Sequence, residues 1–178
     1  PGGRVDATDL AHPWRSLGRY DPPHEYWNAA LREIFEETSV LLARNDRNEW
    51  APSAANDARM EVWRDRLMSE AATLGDVLAS EQLEPAHDFI VYLSHWITPL
   101  AEPRRYDTRF FLAHLPEERE VRIDSREMTD AIWIRPANAL ARFQKGTLPM
   151  VFPTVKTLQL IEGYHTTEAA LNAFRDQP

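Results

Sequence analysis

The 178-residue sequence predicts a domain of the α/β class. Three observations carry that prediction. Apolar residues recur at helical spacing over residues 24–43 and 56–80. Short apolar runs bounded by prolines, at 96–98, 108–114 and 131–134, read as strands. Helical patterns return from residue 137 onward. The length suits a single domain over residues 1–178, and 43% hydrophobic content is enough for a core.

The elements follow in order. Pro1 to Asp9 reads as a glycine-led turn and a short extended piece, Arg4-Val5-Asp6. Gly2 and Gly3 let the backbone take positive φ or approach a ligand closely, and a plain turn would use them equally well. Residues 11–25 are irregular, with Trp14, Leu17 and Tyr20 expected to anchor a loop. The main helix starts near His24 to Tyr26, directly after Pro22 and Pro23, because proline is tolerated at a helix start and not inside one. Its pattern runs to about Ala43, with Asn45 and Asp46 as the stop.

A polar loop over 46–55 leads to a helical insert over about 56–82, where Met60, Trp63, Leu67, Ala71, Leu74 and Leu78 form an apolar stripe that Gly75 is expected to split. Phe89 to Leu93 fits either helix or strand. Trp96-Ile97-Thr98 reads as extended and stops at Pro99; Glu102 to Arg105 is a turn; Thr108 to His114 is a central strand. Ala131-Ile132-Trp133-Ile134 reads as a further short strand. Helices are expected over Ala137–Phe143, Thr154–Glu162 and Thr167–Arg175, the last capped by Thr166 or Thr167.

Composition excludes several chemistries. A net charge of −8 argues against a general nucleic-acid binder. With no cysteine there is no disulfide, thiolate zinc site or cysteine nucleophile. No apolar run reaches the length of a membrane span. With no targeting segment visible, the expectation is a cytoplasmic protein, and the opening on Pro1-Gly2-Gly3 suggests that further residues precede it.

The functional signal is Arg32-Glu33-Ile34-Phe35-Glu36-Glu37. Residues three and four apart share a helix face, so Glu33, Glu36 and Glu37 project together with Arg32 at the edge. Such like charges weaken a bare helix, and a hard divalent cation would offset the cost. A solvated acidic face is the bland alternative. No competing catalytic set is visible: there is no serine in a nucleophile elbow, and His95 and His114 read as strand or core residues.

With the Pro1-Gly2-Gly3-Arg4-Val5 opening, this stretch resembles the Nudix box, Gly-x5-Glu-x7-Arg-Glu-U-x-Glu-Glu-x-Gly-U, where U is a bulky aliphatic residue. The Arg-Glu-U-x-Glu-Glu core matches at each specified position. Asp9 stands where the family has glutamate, 22 residues separate it from Arg32 where the box has seven, and Ser39 replaces the glycine after the core. The first two departures leave the partner of Arg32 open.

An interrupted box of this kind resembles a branch related to the peroxisomal coenzyme A diphosphatases. That branch also has a stretch like Trp96-Ile97-Thr98-Pro99 followed by Arg104-Arg105-Tyr106-Asp107-Thr108-Arg109-Phe110-Phe111-Leu112. The resemblance covers Pro1 to about Leu160.

The resemblance implies a Nudix fold, an α/β/α sandwich with a mixed sheet, a helical insertion and a helical C-terminus. It implies Glu36, Glu37 and the Gly3 carbonyl as metal ligands, Glu33 as the residue that assists the metal or activates water, and Arg32 as the residue that orients the glutamates. A further carboxylate before a late strand falls on Glu127, with Glu118, Glu120 and Asp124 as rivals. Arg104 and Arg105 are candidates for substrate phosphates, with a surface turn as the competing account.

The implied activity is Mg²⁺-dependent hydrolysis, with Mn²⁺ as the alternative ion, of a nucleoside diphosphate linked to another moiety. Coenzyme A or an acyl derivative is the first candidate and ADP-ribose or a dinucleotide the second. A non-catalytic ligand-binding regulator is the alternative of another class, although such proteins usually lose box glutamates and this chain keeps all three. An interaction protein would show an exposed apolar patch over residues 60–78. The expected partner is a small nucleotide-diphosphate substrate, with no nucleic acid and no membrane, and a homodimer is left open.

Overall fold

The computed structural model describes residues 2–10, 22–115, 119–123 and 130–175. Six α-helices, two short 3₁₀ turns and two antiparallel two-stranded ladders make up the described elements. The chain divides into two compact units, Pro1–Phe89 with Leu115–Ala131, and Ile90–His114 with Ile132–Pro178.

The first unit is built on helix α1, His24–Thr38. It begins after Pro23, whose φ of −49° suits a helix entry. Trp27, Leu31 and Phe35 recur every fourth residue and are buried. Each such side chain contributes about 1.5–3 kcal/mol on leaving water. The last helical residue is Thr38, five residues before the expected end near residue 43, and Ser39 is the C-cap. Ser39 turns into the left-handed region at φ 67°, and its N–H donates to Phe35 O. Val40, Leu41 and Leu42 then run buried into β1, Ala43–Arg44, which pairs with β2, Glu84–Pro85. Asn45 and Asp46 therefore end no helix.

The expected helical insert is present as α2, Ala58–Met68, and α3, Leu74–Glu81. The Asp57 carboxylate accepts from the N–H groups of Arg59 and Met60 and so caps α2. The break lies at 69–73 and not at Gly75: Glu70 takes φ 57°, and Thr73 opens α3 with a capping box to Asp76. Met60, Leu67, Leu74, Val77 and Leu78 are buried, whereas Ala71 is exposed. The exposed apolar patch demanded by an interaction protein is not found over residues 60–78, where Val62 is the one large apolar side chain exposed.

In the second unit β3, Ile90–Ile97, pairs with β4, Asp107–Ala113, with a bulge between Tyr92 and Ser94. The ambiguous Phe89–Leu93 run is thus mostly strand. The turn between the two strands carries Arg104 and Arg105. Three helices follow: α4, Pro136–Gln144; α5, Phe152–Ile161; and α6, Thr167–Arg175, whose first turn is capped by Thr166 Oγ1 accepting from Ala169 N–H.

Residues 131–134 form no strand; Ile132 and Trp133 are exposed and have no ladder partner among the described residues. Both ladders are antiparallel, so the parallel pairing of a mixed sheet is not among the described residues.

Candidate active site

One face of α1 carries Asn28, Arg32, Glu33, Glu36 and Glu37, and the chain from Gly2 to Asp9 lies against it. A 3₁₀ turn over Ala7–Leu10 brings Asp9 into the interior. Asp9 is 2% exposed, Arg32 7%, Glu33 8% and Glu37 6%, so this face is no solvated acidic surface.

Arg32 is the hub. Its Nε donates to Asp9 Oδ1 and its Nη2 to Asp9 Oδ2, both at 3.2 Å. This two-point fork uses the match between guanidinium and carboxylate. It answers the open question about the partner of Arg32: aspartate, 23 residues upstream in sequence, is within reach. Arg32 Nη1 donates to Glu33 Oε1 at 2.8 Å and to Glu36 Oε2 at 2.9 Å, and Nη2 also donates to the Arg4 carbonyl at 2.7 Å. Asp6 adds an ion pair at 3.6 Å. The Asp9 carboxylate is held further by the Asp6 N–H at 2.8 Å, and Asn28 Nδ2 donates to the Asp9 carbonyl at 2.6 Å.

The glycine opening meets the same helix face. Gly2 N–H donates to Glu37 Oε1 at 3.1 Å. A Cβ added at Gly3 would lie 2.1 Å from Glu33 Oε1 and 2.6 Å from that carboxyl carbon, so any larger residue there would have to displace the Glu33 carboxylate. Glu33 and Glu37 are thus gathered with the Gly2–Gly3 backbone, and Glu36 joins through Arg32.

Electrostatics follow from burial. Removal from water pushes the Glu36 carboxyl up to about 7; the Arg32 charge opposes the shift and the Glu33 charge adds to it. Arg32 stays charged: burial works against its cation, and the Asp9 hydrogen bond with the Glu36, Asp9 and Glu33 charges outweighs that cost.

Hard carboxylate oxygens beside a backbone kept open by Gly3 suit a hard divalent cation. Among the described residues no three acidic or histidine side chains are disposed as a ready ligand group. Arg32 Nη1 engages Glu33 and Glu36, and Gly2 N–H engages Glu37. The donor chemistry fits, while the side chains are held here by the protein's own donors.

Other expected residues fall elsewhere. Glu127, Glu118 and Asp124 lie outside the described residues, as do Trp14, Leu17 and Tyr20. Glu120 is exposed, and its carbonyl accepts from Ser53 Oγ at 2.7 Å. Arg104 and Arg105 are exposed in the second unit, where Arg105 Nε donates to the Thr98 carbonyl at 3.0 Å.

Sequence reasoning missed Asp6, Asn28 and Arg64. Arg64 is buried and its Nε donates to the Glu36 carbonyl at 2.8 Å, bracing the last turn of α1. Two signals pointed to these residues. Asn28 stands one helical turn before Arg32. Arg64 interrupts an apolar face between Met60 and Leu67.

Comparison with known proteins shows the family. The family model described as the NUDT19 Nudix domain matches residues 24–161. A Caenorhabditis elegans protein bearing the name nudix hydrolase 7 is 31% identical over 160 residues, which is 89% of this chain and 48% of that protein. The acyl-coenzyme A diphosphatase NUDT19 of Homo sapiens is 31% identical over 122 residues, 64% of this chain and 32% of that protein. The chain therefore spans about half or less of these relatives. A crystal structure of a Nudix hydrolase from Alicyclobacillus acidocaldarius superposes with a TM-score of 0.75 at 26% identity, over 99% of this chain and 80% of that one.

Proposed function

This chain belongs to the Nudix hydrolase family, and from that premise we propose that it is a diphosphatase cleaving a nucleoside diphosphate linked to another moiety. Coenzyme A or an acyl derivative is the first substrate in this reading, supported by the likeness to a protein named acyl-coenzyme A diphosphatase. ADP-ribose or a dinucleotide is the alternative. The reading treats residues 1–178 as one Nudix domain.

The observation that carries the proposal is the Arg32 hub. One guanidinium holds Asp9, Glu33 and Glu36, and the Gly2–Gly3 backbone closes on Glu33 and Glu37.

Nudix hydrolases generally use divalent metals, and Mg²⁺ is the ion proposed here, with Mn²⁺ second. When bound, such an ion neutralises phosphoryl charge and makes a water more acidic. Glu36, Glu37 and the Gly3 carbonyl would hold it. Glu33, close by on the same face, takes the proton of the attacking water or assists the ion. Arg32 keeps these carboxylates in place and its charge permanently compensates part of theirs. Glu127 is proposed as the further carboxylate, and Arg104 and Arg105 as donors to substrate phosphates.

The test is a screen of coenzyme A, acyl-CoA, ADP-ribose and dinucleotides with Mg²⁺, run on the wild type and on Glu36→Gln. Partners that merely support metal ligands are worth about 10–100-fold, so a direct ligand should cost about 100-fold or more in kcat/KM. Unchanged turnover in the variant removes the ligand assignment. Failure to cleave any of the compounds removes the hydrolase reading.

A further inference from the structure

Arg64 is the one buried charged side chain of helix α2, at 5% exposure. It stands between Met60 and Leu67 on the buried face of that helix. Packing alone would favour an apolar residue there, because a buried cation carries a desolvation cost that an apolar side chain of similar volume does not.

Arg64 Nε donates to the Glu36 carbonyl at 2.8 Å. Inside a continuing helix that carbonyl would accept from the N–H four residues on. Here Ser39 turns left-handed at φ 67°, and the Val40 N–H donates to Thr38 Oγ1 at 3.4 Å instead. The helical insert therefore supplies a donor that the end of α1 lacks. The guanidinium is itself anchored: Nη1 lies 3.7 Å from Glu61 Oε1, and Glu61 Oε2 accepts from Arg122. The Arg122 N–H meets another carbonyl of the same helix end, Thr38 O, at 3.1 Å.

The peptide that Arg64 grips joins Glu36 to Glu37. Both side chains leave from Cα atoms of that one planar unit, so holding its carbonyl fixes the directions in which both carboxylates project. We propose that Arg64 is a positioning residue for the hydrolysis, its hydrogen bond to the Glu36 carbonyl aligning Glu36 and Glu37 for the cation. The inference rests on the reading of those two residues as metal ligands given above, and it makes the helical insert part of the working site.

Mg²⁺ is the probe. Its dissociation constant is read from the rise in Tm of the full chain with Mg²⁺ concentration, without substrate. Gln and Met separate the bond from the packing: Gln carries an amide nitrogen at the place along the side chain where Arg has Nε, and Met has a methyl group there. Arg64→Met should weaken Mg²⁺ about tenfold or more. For the compound cleaved in the screen above, its kcat should fall about 10–100-fold with KM little changed. Arg64→Gln should recover most of both losses. Leu67→Ala, on the same buried face, should lower Tm while keeping wild-type Mg²⁺ affinity and kcat. In a Glu36→Gln background, Arg64→Met should cost less Mg²⁺ affinity than it does alone.

The proposal is overturned if Arg64→Met binds Mg²⁺ and turns over as the wild type does, or if Arg64→Gln is no better than Arg64→Met. It is equally overturned if Leu67→Ala weakens Mg²⁺ as much at the same loss of Tm, because the effect would then be one of stability. If circular dichroism shows Arg64→Met unfolded, Arg64→Lys takes its place. Lysine keeps the charge but carries its nitrogen one bond further out, so it should bind Mg²⁺ more weakly than Arg64→Gln, and the reverse order overturns the proposal. A wild type without any Mg²⁺ shift removes the ligand reading and this inference together. A wild type that binds Mg²⁺ no better than the Arg64 variants removes this inference alone.

Discussion

Arg32 commits one guanidinium to three carboxylates and a carbonyl, and the consequence of removing it depends on what is left behind. Asp9 is the most deeply buried of these partners. Arg32→Met strands that carboxylate in the interior, and breaking a buried pair from one side costs about 3–5 kcal/mol. Urea denaturation should show this loss, and adding Asp9→Asn should recover part of it because the two sites share one interaction. A loss under about 1 kcal/mol would mean that Arg32 is not the hub. Arg32→Lys keeps the charge but cannot span Asp9, Glu33 and Glu36 together. Activity in that variant should fall about 10–100-fold, the range for partners that orient metal ligands, with far less unfolding than in Arg32→Met. At this scale much of the site was legible. The Arg-Glu-U-x-Glu-Glu spacing alone puts Glu33, Glu36 and Glu37 on one helix face. Asp9 was visible as a substitution, but only the 3₁₀ turn at Ala7–Leu10 explains how a shorter carboxylate reaches Arg32. Asp6 was hidden because loop closure decides its neighbour and leaves no periodic trace, whereas Arg64 showed as a break in the Met60–Leu67 face and only the packing of α2 on α1 reveals its partner, the Glu36 carbonyl.

Helix α1 shows why element ends are harder to read than element identity. The apolar pattern continues through Val40, Leu41 and Leu42, and nothing in that pattern separates a buried helix from a buried extended segment. The stop is Ser39, a non-glycine residue at φ 67° in the place where the box has glycine. Its hydroxyl compensates: Ser39 Oγ donates to the Arg122 carbonyl at 2.9 Å, while Arg122 N–H donates to Thr38 O at 3.1 Å. Ser39→Ala keeps the left-handed cost and loses the hydroxyl bond, so it should destabilise by about 1 kcal/mol. Ser39→Gly loses the same bond but relieves the backbone, by roughly 1 kcal/mol, and should lie near the wild type. Thermal melts of the two variants decide the matter; alanine melting no lower than glycine would remove this account of the stop. The C-terminal helices were read to within two residues because Pro136, Pro153 and Thr166 sit at their starts. The run 131–134 misled because β-branched and aromatic residues favour strands only where another strand is available to pair with them.

For the molecule as a whole, the gathered carboxylates couple stability to pH and to cation. The Glu36 carboxyl lies at about 7 in the folded protein against an ordinary value of 4.5. Between those values the folded, cation-free protein holds more protons at this group than the unfolded chain does. Stability from this group is therefore greatest below about pH 4.5 and declines as pH rises to about 7. A divalent ion reverses the trend, because it binds the deprotonated form and so competes with the proton. At 100 times its dissociation constant a cation adds about 2.7 kcal/mol. Melting curves of wild type and Glu36→Gln in EDTA and in Mg²⁺, from pH 5 to pH 8, test both effects at once. The difference between the two proteins isolates Glu36 from every other titrating group. In EDTA the wild type should lose ground to the variant as pH rises. In Mg²⁺ the wild-type Tm should rise more at pH 7.5 than at pH 5.5, and the variant should show a smaller increase at both. Equal Mg²⁺ shifts in the two proteins would place the ion elsewhere. A flat EDTA difference would mean that Glu36 ionises as freely in the fold as it does in water.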